Sequence, residues 1–279
     1  MPELPEVETI AALLRIGGPD RLAICGYQVQ QAQVLWARTL ANMHPRAFCA
    51  RIAGQTVENV ERRGKFVVIP LSQDTLLIHL RMSGDLRVEA ARDVDGQPRP
   101  PEIHDRLLID FMGGQRMAFN DTRKFGRAWL TADAQEVLGS LGPEPLDEML
   151  NAERFHSLLS AHKRQLKPLL MDQRFLAGLG NIYTDEALHG ARLHPLLRSS
   201  QLSLDEAGRL LAAIRAVLNE GIRRNGASID WVYRGGDFQN FFRVYGRAGQ
   251  PCLTCGTPIT RMVVGQRGTH ICPSCQKIG

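Results

Sequence analysis

The sequence contains no run of about 18 apolar residues, which excludes a typical transmembrane helix. It also has no internal repeat and no low-complexity segment. The first residues include Glu3, Glu6 and Glu8, whereas a secretory signal peptide begins with a basic segment. We therefore expect a cytoplasmic protein without a membrane segment, and 279 residues suffice for about two domains.

Acidic residues are missing from the C-terminal part of the chain. None follows Asp237, whereas five basic residues do: Arg243, Arg247, Arg261, Arg267 and Lys277. Because the formal net charge of the whole chain is +5, this part carries the entire excess. A basic end favours a polyanionic partner such as nucleic acid, and a solvated tail that aids solubility is the alternative.

Cysteines are few, but four of the six form two C-x₂-C pairs separated by sixteen residues: Cys252, Cys255, Cys272 and Cys275. This spacing is typical of a tetrathiolate zinc site. Disulfides are the alternative, which a reducing cytoplasm disfavours. The sequence therefore predicts one structural Zn²⁺ whose four sulfur ligands leave no position for a reactive water. Cys25 and Cys49 are expected to be small buried apolar residues.

The N-terminal segment, residues 2–9, reads PELPEVET. An initiator methionine before a small residue is normally removed, so we expect Pro2 to carry the terminal amine. Such amines have a reference pKa near 8, about two units below that of lysine. A larger fraction is therefore unprotonated and able to attack an electrophilic carbon, which makes Pro2 a candidate for a Schiff-base nucleophile. Glu3 and Glu6 flank it, and ordinary first-turn carboxylates are the alternative interpretation.

An apolar stripe at helical spacing follows this segment: Val7, Ile10, Ala11 and Leu14. It predicts an N-terminal helix with Pro5 in its first position, ended by Gly17 and Gly18. Up to about residue 132 the pattern then changes to short apolar or alternating runs, at residues 66–71, 75–80, 86–88, 107–112 and 127–130. Gly113 and Gly114 predict a two-residue hairpin loop. Many short strands without intervening helices indicate an antiparallel sandwich or barrel, with residues 92–101 as a surface loop.

Helical patterns dominate after the proline-rich linker at residues 141–150. Predicted helices cover residues 151–161, 163–171, 182–191 and 203–224, and a glycine-rich, aromatic, irregular segment covers residues 225–242. We expect this segment to be a mobile loop. The predicted domains are therefore residues 1–140, 151–242 and 243–279, the last being the zinc hairpin.

Residues 178–183 read GLGNIY, in which glycines precede a helix N-terminus. Free N–H groups at such a terminus bind phosphate. Asn181 has two compatible interpretations, an N-cap or a phosphate contact.

Five separated motifs now occur in order: PELPEVET at 2–9, HLRMSG at 79–84, DTRKFG at 121–126, GLGNIY at 178–183 and the four-cysteine pattern. In these motifs, and over nearly its whole length, the chain resembles the bacterial formamidopyrimidine-DNA glycosylases, which remove 8-oxoguanine. The resemblance implies an α+β multidomain fold. It comprises an N-terminal antiparallel β-sandwich with an N-terminal helix, a helix–two-turn–helix domain and a C-terminal zinc-finger β-hairpin.

The resemblance also implies roles for individual residues. The catalytic set would be Pro2, Glu3, Glu6 and Lys65. The DNA-binding set would be His79, His104, Arg123, Lys167, Asn181 and Arg267. The residues that fill the void left by an extruded base would be Met82, Arg123 and Phe125. Taken singly, Lys65 is also consistent with a surface lysine, His79 with a sheet histidine, and Met82 and Phe125 with core residues.

The implied function is a bifunctional DNA glycosylase and abasic-site lyase that excises oxidised purines through a Schiff base on Pro2, followed by β,δ-elimination. The partner would be double-stranded DNA with an oxidised base or abasic site, bound by a monomer that requires no redox cofactor. The related oxidised-pyrimidine endonucleases are one alternative, although they usually have glycine in the place of Leu4. A zinc DNA-binding protein without catalytic activity is another.

The chain departs from the family pattern at a few positions. Arg81 replaces a usual glycine and Thr122 a frequent proline, while Ser228 and Ile229 occupy the place of a common threonine pair. None of these is a predicted catalytic position, so the family resemblance does not fix the lesion preference of this chain.

Overall fold

The structure is a computed structural model that describes residues 1–18, 22–228 and 235–278. Its contacts divide the chain into two compact units. The first contains Met1–Pro2 and Glu6–Gly139, and the second contains Glu3–Pro5, Ser140–Ser228 and residues 235–278. Helix α1 (Leu4–Ile16) therefore begins in the second unit and continues in the first.

Among the described residues, the first unit also contains eight strands, two further α-helices and a short 3₁₀ helix (Ala37–Thr39). The strands and α-helices are β1 (Val29–Val34), α2 (Pro45–Ile52), β2 (Glu61–Arg63), β3 (Phe66–Pro70), β4 (Thr75–His79), β5 (Gly84–Ala90), β6 (Asp105–Phe111), β7 (Gln115–Asp121), β8 (Arg127–Thr131) and α3 (Gln135–Leu138). The strands make two four-stranded antiparallel sheets, in the orders β1-β6-β7-β5 and β2-β3-β4-β8. The predicted antiparallel sandwich is confirmed.

One apolar cluster joins both sheets and α1. Alternate residues of β6 and β7, such as Ile109 and Met117, enter it because side chains along a strand point to opposite faces. The stripe predicted on α1 enters the same cluster, and the helix ends at Ile16, directly before Gly17, as predicted. These contacts hold α1 against the sandwich.

Three details of the sequence interpretation require correction. The loop between β6 and β7 has three residues, Met112 to Gly114, because Phe111 accepts a hydrogen bond from the Gly114 N–H (3.0 Å). Pro5 is the second residue of α1 and not the first. Helix α2 was not predicted, although Pro45 begins it and the His44 side chain caps it, accepting from the Arg46 N–H.

The second unit is mainly helical. Its helices are α4 (Ala152–Ser160), α5 (Leu166–Leu170), α6 (Asn181–Ala191) and α7 (Leu204–Arg223), followed by the hairpin of β9 (Thr260–Val264) and β10 (Arg267–Ile271). Helix α5 is shorter than the predicted 163–171. The core of the second unit is a separate apolar cluster, formed mainly by side chains of these helices. Within it, Tyr183 stacks on Phe238 with 5.2 Å between ring centroids.

The irregular segment predicted at residues 225–242 is described in part. A single 3₁₀ turn, Phe238–Phe241, occurs in its described portion, and Ser228 donates its N–H to Gln239 Oε1 (2.8 Å). Residues 229–234, including Ile229, lie outside the described residues. Within the described part of the chain, every helix is too short or too polar to cross a bilayer.

Helix α7 begins with a capping box. The Ser203 hydroxyl accepts from the Glu206 N–H (3.2 Å), and the Glu206 carboxylate accepts from the Ser203 N–H (2.8 Å).

We predict that Ser203→Ala lowers the free energy of unfolding by about 1 kcal/mol, the usual cost of losing an N-cap. Urea denaturation measures this. Ser157→Ala is the matched control, since its hydroxyl bonds to the Glu153 carbonyl within a helix and caps nothing. Equal losses in the two variants would contradict the capping role.

Candidate active site and zinc centre

Glu3 lies at the N-terminus of α6, within the second unit. Its Oε2 accepts from the Gly180 N–H (2.7 Å) and the Tyr183 N–H (3.4 Å), and its Oε1 from the Ile182 N–H (3.0 Å). The side chain is 2% exposed. These donors and the positive end of the helix dipole neutralise a buried carboxylate. Glu3 is therefore fixed in orientation, and the adjoining Leu4 N–H donates to the Gly178 carbonyl (3.0 Å).

The close approach of Glu3 and Leu4 requires both glycines of GLGNIY. A Cβ on Gly180 would lie 2.3 Å from Glu3 Cδ. Gly178 has φ +98° and a Cβ there would lie 2.6 Å from Leu4 Cδ1. The prediction that this turn offers free N–H groups to a phosphate is wrong, because the carboxylate of Glu3 takes them.

The N-cap interpretation of Asn181 is also wrong, since Gly180 holds that position. Asn181 is the first residue of α6, and its Nδ2 donates to the Gly268 carbonyl (3.1 Å) in the zinc hairpin.

The other predicted catalytic residues are also buried. Pro2 is buried and directly precedes Glu3 in the chain, while Glu6 is 3% exposed in the first turn of α1. Lys65 is 4% exposed between β2 and β3, which contradicts its interpretation as a surface lysine. Glu6 does lie in the first turn of α1, as the alternative interpretation expected, but both Glu3 and Glu6 are buried.

His79 is the last residue of β4 and is held as a neutral donor. Burial lowers its pKa to about 3, assisted by the charges of Arg81 and Lys65. Its Nδ1 accepts from the Arg81 N–H (3.0 Å), so the proton of the neutral ring resides on Nε2. Nε2 can then donate one hydrogen bond. Arg81 itself adopts φ +56°, a left-handed conformation that favours the glycine usual in the family.

Met82 and Phe125 are exposed to 42% and 53%, which contradicts their interpretation as core residues. Arg123 is exposed beside them, and its Nη1 lies 3.6 Å from Met82 Sδ. The first unit therefore brings Met82 and Arg123 of the predicted void-filling set into contact, although they are forty-one positions apart in the sequence.

Lys167 requires a correction as a DNA-binding residue. Its side chain is 0% exposed, and Nζ donates to Asp185 Oδ1 (2.6 Å) and to the Gly268 carbonyl (3.1 Å). Burial lowers the pKa of Lys167, while the charge of Asp185 opposes that shift. A fully buried ammonium group cannot touch a DNA phosphate. Lys167 instead anchors the zinc hairpin.

The remaining predicted DNA-binding residues differ in exposure. Arg267 is exposed at the start of β10, directly after the hairpin turn. His104 is half-buried, and its Nδ1 lies 3.4 Å from Arg106 Nη2.

Two buried acids on α6 were missed in the sequence. Asp185 Oδ2 accepts from the His270 N–H (2.9 Å), and Glu186 accepts from the N–H groups of Arg243, Val244 and Tyr245 (2.8–2.9 Å). Burial raises the pKa of Glu186, and these three donors oppose the shift. An adjacent Asp-Glu pair inside a short helix was the available signal. Asp185 thus holds β10 against α6, and Glu186 holds residues 243–245, which precede the zinc hairpin, against the same helix.

The four paired cysteines converge, with their sulfur atoms all within 4.8 Å of one another. The Thr254 N–H approaches Cys252 Sγ and the Cys275 N–H approaches Cys272 Sγ, each at 3.4 Å. Backbone donors of this kind suit negatively charged thiolates, and four thiolates are the ligand set of a closed structural zinc site. The donor set fits zinc.

Three family models match the chain in sequence order. The formamidopyrimidine-DNA glycosylase N-terminal domain matches residues 1–128 and the H2TH domain of that enzyme matches residues 141–232. The zinc finger found in FPG and IleRS matches residues 249–278. With the cysteine cluster, these matches establish a structural zinc. The class of protein is thus a zinc-finger DNA glycosylase.

Relatives match over the whole chain. The formamidopyrimidine-DNA glycosylase of Protochlamydia amoebophila is 40% identical, with 99% of this chain and 100% of the relative covered. That of Roseiflexus is 41% identical with the same coverage. A structure of the Lactococcus lactis enzyme, non-covalently bound to DNA containing an abasic site, superposes with TM-score 0.87 at 33% identity, covering 99% and 100% of the chains. The chain belongs to the formamidopyrimidine-DNA glycosylase family.

We predict that Gly180→Ala displaces Glu3, because the new methyl group would overlap its carboxylate. Overpacking of this kind costs about 1–3 kcal/mol, and cleavage of an abasic-site duplex should fall with it. Gly208→Ala in α7 is the control, since its nearest neighbour would be Ala152 Cβ at 3.5 Å. Urea denaturation and gel cleavage assays measure both variants, and a fully active Gly180→Ala enzyme would contradict the role of the contact.

We predict one zinc per chain, lost in Cys255→Ala and retained in Cys49→Ala. Metal analysis after dialysis measures this, and limited proteolysis should show cutting within residues 243–278 only where zinc is lost, because zinc binding contributes directly to folding. Zinc retained by Cys255→Ala would contradict the four-sulfur site.

Proposed function

We propose that this protein is a bifunctional DNA glycosylase and abasic-site lyase of base-excision repair that removes oxidised purines. The observation that carries the proposal is the anchoring of Glu3 by three backbone N–H groups at the N-terminus of α6, those of Gly180, Ile182 and Tyr183. This contact fixes the residue adjacent to Pro2. A nucleophile must be held within a few tenths of an ångström of a productive position, and such an anchor supplies that restraint.

The reaction begins at the Pro2 amine, once Met1 has been removed. Its nitrogen lone pair attacks C1′ of the damaged nucleotide as the bond from C1′ to the base breaks. The Glu3 carboxylate takes the proton that the Pro2 nitrogen loses on bond formation and delivers it to the sugar ring oxygen or the departing base, and Glu6 supports the local network. The ring opens to leave an iminium ion that joins Pro2 to the sugar.

The iminium is an electron sink, which acidifies the C2′–H bond. Loss of that proton expels the 3′ phosphate, and a second elimination expels the 5′ phosphate. Water then hydrolyses the imine and releases the enzyme. The closed four-sulfur zinc site holds the hairpin and leaves this chemistry to the side chains and the terminal amine.

The DNA phosphates are bound by side chains that can donate hydrogen bonds from nitrogen. Lys65, His79, His104, Asn181 and Arg267 are the proposed phosphate contacts. His79 donates through Nε2 as a neutral ring, so its contact does not depend on protonation near neutral pH. Met82, Arg123 and Phe125 fill the space left by the extruded base, because an apolar pair with one arginine supplies both a wedge and a hydrogen bond.

The proposed partner is double-stranded DNA with an oxidised base or abasic site, bound by a monomer. Related structures support this class of substrate. One contains an inhibited glycosylase with DNA bearing N7-benzyl-Fapy-dG, and another contains MutM with DNA bearing carbocyclic 8-oxo-G, each 33% identical to this chain. We place the enzyme in the cytoplasm on chromosomal DNA, where a reducing environment keeps the zinc thiolates intact.

We predict that borohydride traps a covalent adduct on Pro2 when the mature protein meets a duplex with one 8-oxoguanine opposite cytosine. Mass mapping of the adduct locates the attachment, and Pro2→Gly should form less of it because glycine offers a primary amine in another geometry. DNA binding without any adduct, with Met1 shown to be removed, would favour a zinc DNA-binding protein without catalysis. Faster cleavage of a thymine glycol duplex would instead favour an oxidised-pyrimidine endonuclease.

A further inference from the structure

Two loops of the first unit carry the proposed void-filling residues. Residues 80–83 join β4 to β5 and present Met82, and residues 122–126 join β7 to β8 and present Arg123 and Phe125. We call them the two void-filling loops. Both present large side chains to solvent. Exposed apolar side chains lower their free energy when they fold back against the protein surface. The backbone of the loops must therefore keep these side chains extended into solvent.

Asp121 is the residue that both loops contact. Its Oδ2 accepts from the Gly126 N–H (2.7 Å), and its Oδ1 accepts from the Arg123 N–H (3.2 Å). Its Oδ1 also accepts a short hydrogen bond from the Ser83 hydroxyl. The carboxylate thus holds the second loop at two points and reaches the first loop through Ser83.

Ser83 completes the link. Its Oγ accepts from the Arg123 N–H (3.1 Å) while its hydroxyl proton goes to Asp121. Met82 directly precedes Ser83 in the chain, and Arg123 is two positions after Asp121. If one loop moves relative to the other, the hydrogen bonds that Ser83 makes with Asp121 and Arg123 must break.

The link is buried and rests on a rigid base. Ser83 is 4% exposed and Asp121 is 1% exposed. Asp121 ends β7 opposite Gly84 of β5, its N–H donates to the His104 carbonyl (2.9 Å), and its carbonyl accepts from Arg106 Nε (2.8 Å). Charge-assisted hydrogen bonds away from water are strong and directional, so the carboxylate can set the geometry of flexible loops.

We propose that Ser83 and Asp121 are positioning residues that couple the two void-filling loops, so that Met82, Arg123 and Phe125 enter the DNA as one unit. This inference rests on the proposed function, since it needs a duplex with a base to extrude. Neither residue touches the reacting atoms. Their effect is confined to substrates in which an opposite strand leaves a space to fill.

The test compares two substrates for each variant, a duplex with 8-oxoguanine opposite cytosine and single-stranded DNA with an abasic site. Ser83→Ala should reduce kcat/KM on the duplex about 10-fold, the usual effect of leaving a buried group unsatisfied. Activity on the single strand should remain at the wild-type level, because no opposite strand is present. Asp121→Asn, which keeps the shape of the side chain, should reduce the same duplex-to-single-strand ratio.

Ser72→Ala is the matched control, since that serine also accepts a backbone N–H, from Thr56 (3.3 Å), but lies outside both loops. Its ratio should equal that of the wild type. Thermal melting of every variant selects an assay temperature at which all are folded. 2-Aminopurine opposite the lesion gives a second readout, because its fluorescence reports whether the void is filled on binding.

A double-mutant cycle then identifies the route of the effect. In a Met82→Ala/Arg123→Ala background, Ser83→Ala should change the ratio by less than 2-fold, because the groups it positions are absent. A Ser83→Ala variant that loses both activities in equal proportion, or one with a wild-type ratio, would overturn the proposal. Absence of any trapped adduct with wild-type protein on the single strand would instead overturn the proposed function.

Discussion

The structure depends first on the contact between the Glu3 carboxylate and the N-terminus of α6. The first N–H groups of a helix have no partner within it, and a buried carboxylate has no water. Each satisfies the other at 2.7 to 3.4 Å. The contact requires glycine at position 180, where any side chain would overlap Glu3. An N-terminal motif and a motif almost 180 residues later are therefore one structural feature.

The same device recurs at three other carboxylates of the described residues. Asp185 and Glu186 receive backbone N–H groups from the zinc hairpin and from the segment before it, and Asp121 receives them from a void-filling loop. A carboxylate accepts several donors at once and gains strength in a dry environment. Loops that lack the regular hydrogen bonds of a helix or strand obtain a fixed geometry in this way. The second unit adds zinc for the same purpose.

Much of the fold followed from the pattern of the chain. The apolar stripe of α1, the alternation in the strands and the cysteine spacing each depend on neighbours in sequence, so they were predicted with small errors of length. The three-residue loop at Gly113 and the helix at Pro45 were missed because turn length and short helices depend on packing. Lys167 was misassigned for the same reason: a lysine is usually exposed, and only its burial beside Asp185 reveals an anchor.

The sequence by itself determined the candidate nucleophile, the zinc ligands and the family resemblance, because those rest on residue type and spacing along the chain. Tertiary structure decided which donors each side chain meets. The N–H groups at the N-terminus of α6 bind Glu3 and not a phosphate. Nε2 of His79 carries the proton because Nδ1 accepts the Arg81 N–H. Met82 and Arg123 come into contact although they are distant in the sequence. The physical reason is that burial and hydrogen-bond partners come from residues distant in sequence, and these fix what a charged or polar group can do.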